Sequence, residues 1–361
     1  MDKRSNQLTS SQLMWFIISV QVGIGIITLP NDLAIACGHD GWISVAAFGI
    51  LIAIAVAIIV KLMNRYNNQS IYGINKFLFG KYIGGTFNLL IVLYLWYSAC
   101  LYLRVFINIL HILVLRLTPS LILSFFIIIP TFYLTWYGLK YVARFTILIV
   151  VCLSFCFLLF ILSSRYFRFT LLMPVAQSDI SSLIGGFNYC MYAFLGYEII
   201  TVIYPEITNK KKVMKYSILA ITITTIFYIT LLIVTDIFFG EVFLKGIMYP
   251  IFKLSRSYEA PIIERIDLIF MCIWFPAMAM ATRGYFFTAY YSINKLFNLK
   301  KNIIFLIGFT VTTILLSRIP KSNSNLFAYK QFMITSGTAF TVFLILCYIF
   351  SFLRKKGVSS K

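Results

Sequence analysis

The chain has 361 residues, of which 61% are hydrophobic and only 12% charged, with a mean hydropathy of +0.91. Soluble domains run at about 45–50% apolar and about 25% charged, so this composition excludes a soluble enzyme, a disordered chain and a secreted disulfide module. The formal net charge of +20 is spread in short basic clusters between apolar runs, a pattern of membrane topology rather than of nucleic-acid binding.

Crossing the hydrocarbon takes about 20 helical residues. In chain order, runs of that kind cover Ser5–Asn31, Gly41–Val60, Tyr82–Leu103, Leu117–Leu139 and Phe145–Ser164. They continue through Ile180–Tyr197, Tyr216–Thr235, Ile262–Phe287, Asn302–Ser317 and Gln331–Leu353, which makes ten predicted spans in one all-α polytopic membrane domain over residues 1–361. With the N-terminus in the cytoplasm, 19 of the 31 basic residues fall on the inner face, and both termini are expected there. The first span is read as retained rather than as a cleaved signal, because no basic region precedes a short apolar stretch with a small-residue cleavage site.

The polar interruptions within these runs carry the functional information. The first span reads Gln21-Val22-Gly23-Ile24-Gly25-Ile26-Ile27-Thr28-Leu29-Pro30. Two glycines one residue apart weaken a helix, and an opened turn here would offer backbone groups to a ligand. Close helix packing through small residues is the competing reading. The sixth span ends Phe194-Leu195-Gly196-Tyr197-Glu198, with an acidic side chain inside the membrane. Such a group is expensive unless neutral, paired or facing water, so Glu198 is read as functional or gating in preference to a purely structural bond. A break over 194–197 would bring two helix ends together at mid-membrane.

These two spans open successive groups of five, residues 9–164 and 180–353. Five is odd, so the two groups run in opposite orientations, and matching breaks are the sequence sign of a midplane site in an inverted repeat. No clear residue-level repeat accompanies this. At the head of the eighth span, Glu264 and Asp267 share one helix face, with structural and extracellular-gating roles both open. Arg283 lies deeper and is a candidate partner for Glu198. Tyr97, near the middle of the third span, either lines a pocket or belongs with the interfacial aromatics.

No catalytic constellation is visible, so the chain is not expected to be an enzyme. The seven cysteines are scattered without a C-x-x-C pair, and His39 and His111 stand apart, so neither a metal nor another cofactor is indicated. The absence of a phosphate-binding G-x-x-x-x-G-K-[ST] loop disfavours ATP-driven pumping.

Four segments in this order resemble the B subunits of spore nutrient germinant receptors, within the amino-acid/polyamine/organocation transporter superfamily. They are Gln21 to Pro30; Gly38-His39-Asp40-Gly41-Trp42-Ile43-Ser44; Phe194 to Glu198 followed by Tyr204-Pro205-Glu206; and Glu264-Arg265-Ile266-Asp267. The resemblance runs from the first span to the tenth. It implies a leucine-transporter-like fold, a 5+5 inverted repeat with discontinuous helices 1 and 6. It also implies a ligand site formed by Gln21, Gly23, Ile24, Gly25, Tyr97, Phe194, Leu195, Gly196 and Tyr197, with Glu198, Glu264, Asp267 and Arg283 as gating or structural charges. The implied ligand is a small nutrient, an amino acid; the apolar Ile24 and Leu195 suit a mainly apolar one. The implied setting is the inner membrane of the spore, with a membrane A subunit and a lipoprotein C subunit as partners. An amino-acid permease coupled to H⁺ or Na⁺ is the alternative. A non-transporting structural protein is a third reading, one that leaves Glu198 and the broken spans without a purpose.

Overall fold

In lipid an unpaired backbone N–H or C=O costs several kcal/mol, so a chain this apolar is driven into helices that satisfy their own backbone. A computed structural model describes residues 7–66, 69–257, 266–299, 302–320 and 322–353. Among them the helices run α1 (Ser10–Cys37), α2 (Gly41–Arg65), α3 (Ile71–Leu113), α4 (Ser120–Tyr137), α5 (Leu139–Arg144), α6 (Ile147–Ser163) and α7 (Ile180–Phe194). After a break follow α8 (Ile200–Ile203), α9 (Val213–Phe239), α10 (Glu241–Leu244), α11 (Pro250–Arg256), α12 (Ile266–Leu296), α13 (Ile303–Ser317) and α14 (Asn323–Leu353).

The protein is an all-α polytopic membrane protein. Among the described residues, seven stretches are long and apolar enough to cross a membrane: Gly25–Arg65, Ile71–Leu113, Ser120–Tyr137, Leu139–Tyr166, Lys210–Phe239, Ile266–Leu296 and Ser324–Leu353. The first runs from α1 through a turn into α2. α7 and α13, of 15 residues each, are shorter than one full crossing. Ile50, Phe126, Ile129, Ile161, Ile304 and Phe332 are exposed on the outside of the bundle, where only lipid would make them favourable.

α1 is the central post and packs against α7, α9 and α12. Its start is fixed by a capping box, in which Thr9 Oγ1 accepts from Gln12 N at 3.2 Å and Gln12 Oε1 accepts from Thr9 N at 3.0 Å. α12 lies against α3, α2 against α9, and α14 against α3 and α2. Buried hydroxyls return to the carbonyl one turn back, as Thr131 does to Ile127 at 2.8 Å and Thr235 to Leu231 at 2.9 Å. α3 is bent at Gly80, whose φ of 82° is open to glycine. The elbow is locked by Asn75 Nδ2 donating to Asn88 Oδ1 at 2.9 Å and Asn88 Nδ2 to Tyr72 O at 3.0 Å.

One expectation about the spans is corrected here. Helix 1 is continuous: Gly23, Ile24 and Gly25 are all helical within α1. The glycines serve close approach instead. A Cβ on Gly23 would lie 3.3 Å from Ala277 O, and one on Gly25 would lie 2.5 Å from the Tyr228 hydroxyl and 3.0 Å from Ala193 Cβ. The post is thin at this level so that α12, α7 and α9 can close on it.

Candidate functional site

The sixth predicted span does break. α7 stops at Phe194, Leu195 is extended (φ −56°, ψ 143°), and Gly196 has φ 128°. A 3-10 turn over Tyr197–Ile199 then leads into α8. A break strands backbone groups that a helix would have paired, and several of them have found substitutes. Phe194 O accepts from Gln21 Nε2 at 2.6 Å, and Gln21 Oε1 in turn accepts from Thr224 Oγ1 of α9 at 2.9 Å. The Tyr228 hydroxyl lies 2.9 Å from Gln21 O and 3.3 Å from Ala193 O. Gly196 N donates to Glu198 Oε2 at 2.8 Å.

Glu198 is 1% exposed, and its other oxygen is held by two tyrosines. Oε1 accepts from Tyr94 Oη of α3 at 2.9 Å and from Tyr285 Oη of α12 at 2.5 Å. Tyr102 stacks on Tyr285 with ring centroids 5.3 Å apart. Three donors from three different elements therefore converge on one carboxylate. Tyr197 donates to Thr341 Oγ1 of α14 at 2.6 Å, because the Thr341 proton is already given to Gly337 O. Gly337 itself is required by the fit, since a Cβ there would lie 2.7 Å from Leu195 Cδ2.

Gln21, Phe194, Leu195, Gly196, Tyr197 and Glu198 are thus gathered at one level of the bundle, with Gly23 and Gly25 beside them on α1. Of Ile24 only the backbone lies within the described residues. Tyr97 turns away: its hydroxyl donates to Tyr329 O at 2.7 Å and its ring packs on Phe332 of α14. Arg283 is not the partner of Glu198. Its Nη1 donates to Pro276 O at 3.3 Å and its guanidinium lies 5.3 Å from the Phe145 ring, with the tyrosines occupying the position it was expected to take. Asp267 is buried in the first turn of α12, and Glu264 lies outside the described residues. Among the described residues no group of three or more His, Cys, Asp or Glu is placed to hold a metal ion.

Several participants gave no sequence signal. Tyr94 and Tyr285 read as ordinary aromatics of apolar helices. Lys330 of α14 carries no motif, yet its Nζ lies 5.3 Å from the Tyr192 ring, one turn before the break, and it faces Asp32 of α1 electrostatically.

The two ends of the bundle are tied separately. At one end, beyond the spans, Asp40 accepts from the backbone N–H of Ala176, Gln177 and Ser178 at 2.8–2.9 Å. His39 Nδ1 lies 2.9 Å from Glu241 Oε2 and Nε2 lies 2.5 Å from Pro174 O. Both ring nitrogens face acceptors, which calls for imidazolium. The hydrogen bond to Glu241 accordingly raises the His39 pKa above its ordinary 6.5. Desolvation pushes Glu241 upward, but hydrogen bonds from Lys245 and His39 outweigh it and hold Glu241 below its ordinary value. At the opposite end Leu8 pairs with Ile207, with Leu8 N donating to Glu206 O at 3.0 Å and Thr208 N to Leu8 O at 2.9 Å. Glu206 is also bonded by the Tyr291 hydroxyl.

A family model described as spore germination protein matches residues 7–326. The chain belongs to the spore germination protein family. Spore germination protein GerQB of Bacillus cereus is 28% identical over 268 residues, 74% of each chain. Spore germination protein B2 of Bacillus subtilis (strain 168) is 27% identical over 360 residues, covering 98% of this chain and 96% of that one. Among solved structures, MhsT in complex with L-phenylalanine superposes with a TM-score of 0.71 at 14% identity, over 95% of this chain and 90% of that one. A manganese transporter of Eremococcus coleocola gives 0.60 at 13% identity, over 93% and 78%. The fold is therefore leucine-transporter-like, and family and fold together are those of a non-enzymatic membrane protein.

Proposed function

We propose that this chain is the B-type membrane subunit of a spore nutrient receptor, and that it binds a small nutrient at the break in its sixth span. The observation that carries the reading is the Gly196 break with Glu198 beside it, set in a family of germination proteins. The ligand class is an amino acid, supported by the shared fold with MhsT, whose structure holds L-phenylalanine. In this reading the chain makes ten crossings, as two inverted five-helix repeats over residues 9–164 and 180–353. Both termini lie in the cytoplasm, and the membrane is the inner membrane of the spore. The His39 end then faces outward, and the Leu8 end inward.

Binding acts by preference for one conformation. A ligand ammonium would compete with Gln21 and Tyr228 for the carbonyls of Phe194 and Ala193, and a ligand carboxylate with Glu198 for the Gly196 N–H, and so loosen α7 from α1. The change would pass through α8 to the Leu8–Ile207 tie, where an A-type membrane subunit and a C-type lipoprotein would read it. A coupled permease is the second reading, favoured by the buried carboxylate of Glu198, a group able to carry a proton, with H⁺ or Na⁺ as the driving ion. Uptake of radiolabelled amino acids into proteoliposomes containing this chain alone separates the two. The receptor reading expects saturable binding without concentrative uptake; concentrative uptake would overturn it.

A further inference from the structure

On the lipid-facing side of the bundle, away from the Gly196 break, α3 and α14 diverge around an apolar groove of about 680 Å³. Its walls run from Phe87 to Leu101 on α3 and from Tyr329 to Phe343 on α14. Each wall is fifteen residues of helix, a rise of about 21 Å, more than the roughly 15 Å of hydrocarbon in one leaflet. Leu90, Leu93 and Phe332 are exposed along it, so the groove opens sideways to the membrane rather than to water.

One end of the groove is cationic. Arg318 stands between the lining residues Ser317 and Ile319, and Arg104 follows the lining residues Cys100 and Leu101 by one helical turn. The two guanidiniums are close enough to repel each other. Among the described residues no carboxylate lies within ion-pair distance of either, and Arg104 Nε is buried without a hydrogen-bond partner. Two neighbouring guanidiniums without a carboxylate partner suit a phosphate, and the groove beside them suits an acyl chain.

We propose that this groove is a binding site for an anionic phospholipid, with the phosphate held by Arg104 and Arg318 and one acyl chain lying between α3 and α14. The chain would pack on the ring of Tyr94, whose hydroxyl holds Glu198 at 2.9 Å. Lipid occupancy thereby supports the wall of the central site without entering it.

Native mass spectrometry of the purified full chain tests this, in detergent doped with equal amounts of phosphatidylglycerol and phosphatidylcholine. Each basic side chain near an anionic headgroup is worth about fivefold in affinity, so the wild type should retain phosphatidylglycerol over phosphatidylcholine by about 30-fold. Arg104→Gln with Arg318→Gln should abolish that preference, and Arg318→Gln alone, at an exposed position, should reduce it about fivefold. Ala339→Trp, which fills the groove, should reduce retention of both lipids. Equal retention of the two lipids by the wild type overturns the proposal. So does full competition by inorganic phosphate, which would make the site one for a free anion. Homodimers cross-linked through Phe332→Cys, insensitive to either lipid, would assign the groove to a second copy instead.

Discussion

α1 and the α7–α8 segment carry the same sequence signal, glycine in the middle of an apolar run, and only one of them opens. The difference lies in the neighbours. At Gly196 the freed N–H finds Glu198, and the freed carbonyl of Phe194 finds Gln21. At Gly23 and Gly25 the surroundings are the backbone of α12, Ala193 and the Tyr228 hydroxyl, which press on the helix from outside. A glycine permits a break, but in a membrane the break forms only where polar side chains replace the lost backbone bonds. α1 supplies such a side chain to its neighbour and keeps its own helix whole.

The comparison can be broken at several places. Glu198→Ala should have the largest effect, about 3–5 kcal/mol of destabilisation, because Tyr94, Tyr285 and Gly196 N–H all lose their acceptor in a dry site. Thermal unfolding in detergent measures it, and Glu198→Gln, which keeps an acceptor oxygen, should recover part of the loss. Gly196→Val combines backbone strain at φ 128° with a Cβ 2.7 Å from Val20 Cγ1, for a cost of about 2–5 kcal/mol. Gly23→Ala, at an ordinary helical φ and with its nearest neighbour at 3.3 Å, should stay within about 1 kcal/mol of wild type. Equal costs at the two glycines would contradict the contrast drawn between the helices. Gln21→Ala uncaps the broken end of α7 and should cost about 1–3 kcal/mol, with faster hydrogen exchange in the 194–197 backbone as its signature.

The smallest effect belongs to the His39–Glu241 tie between the turn after α1 and α10. His39 has a raised pKa, so its contribution is complete below pH 6.5 and is lost as pH rises through the raised value. Glu241 has a lowered pKa, so its contribution is complete above pH 4.5 and is lost as pH falls through the lowered value. The tie is therefore strongest between pH 4.5 and 6.5. For a partly exposed pair the effect is about 0.2–1 kcal/mol. The Tm difference between wild type and His39→Leu, followed against pH, should be largest in that window and shrink above it; a difference independent of pH would refute the imidazolium assignment.

The sequence made the break at 194–197 legible because glycine and a carboxylate two residues apart in an apolar run have few other uses. It left α1 ambiguous, since Gly-x-Gly serves tight packing as well as opening. The tyrosine cage was hidden because Tyr94 and Tyr285 come from helices far apart in the chain, and tyrosine is common in such helices. Arg283 illustrates the opposite error. A cation and an anion in one apolar background invite pairing, yet hydroxyl and backbone donors satisfied the anion first. Asp32 and Lys330 stand in no motif, and only the packing of α14 against α7 turns Lys330 towards Tyr192.

Binding of an isotope-labelled L-amino-acid panel to the purified, reconstituted chain tests the central claim most directly, with Gly196→Val and Gly23→Ala compared against wild type. Saturable binding of at least one amino acid, lost in Gly196→Val and retained in Gly23→Ala, is the expected result. Binding that survives Gly196→Val unchanged would contradict the placement of the ligand at the broken helix.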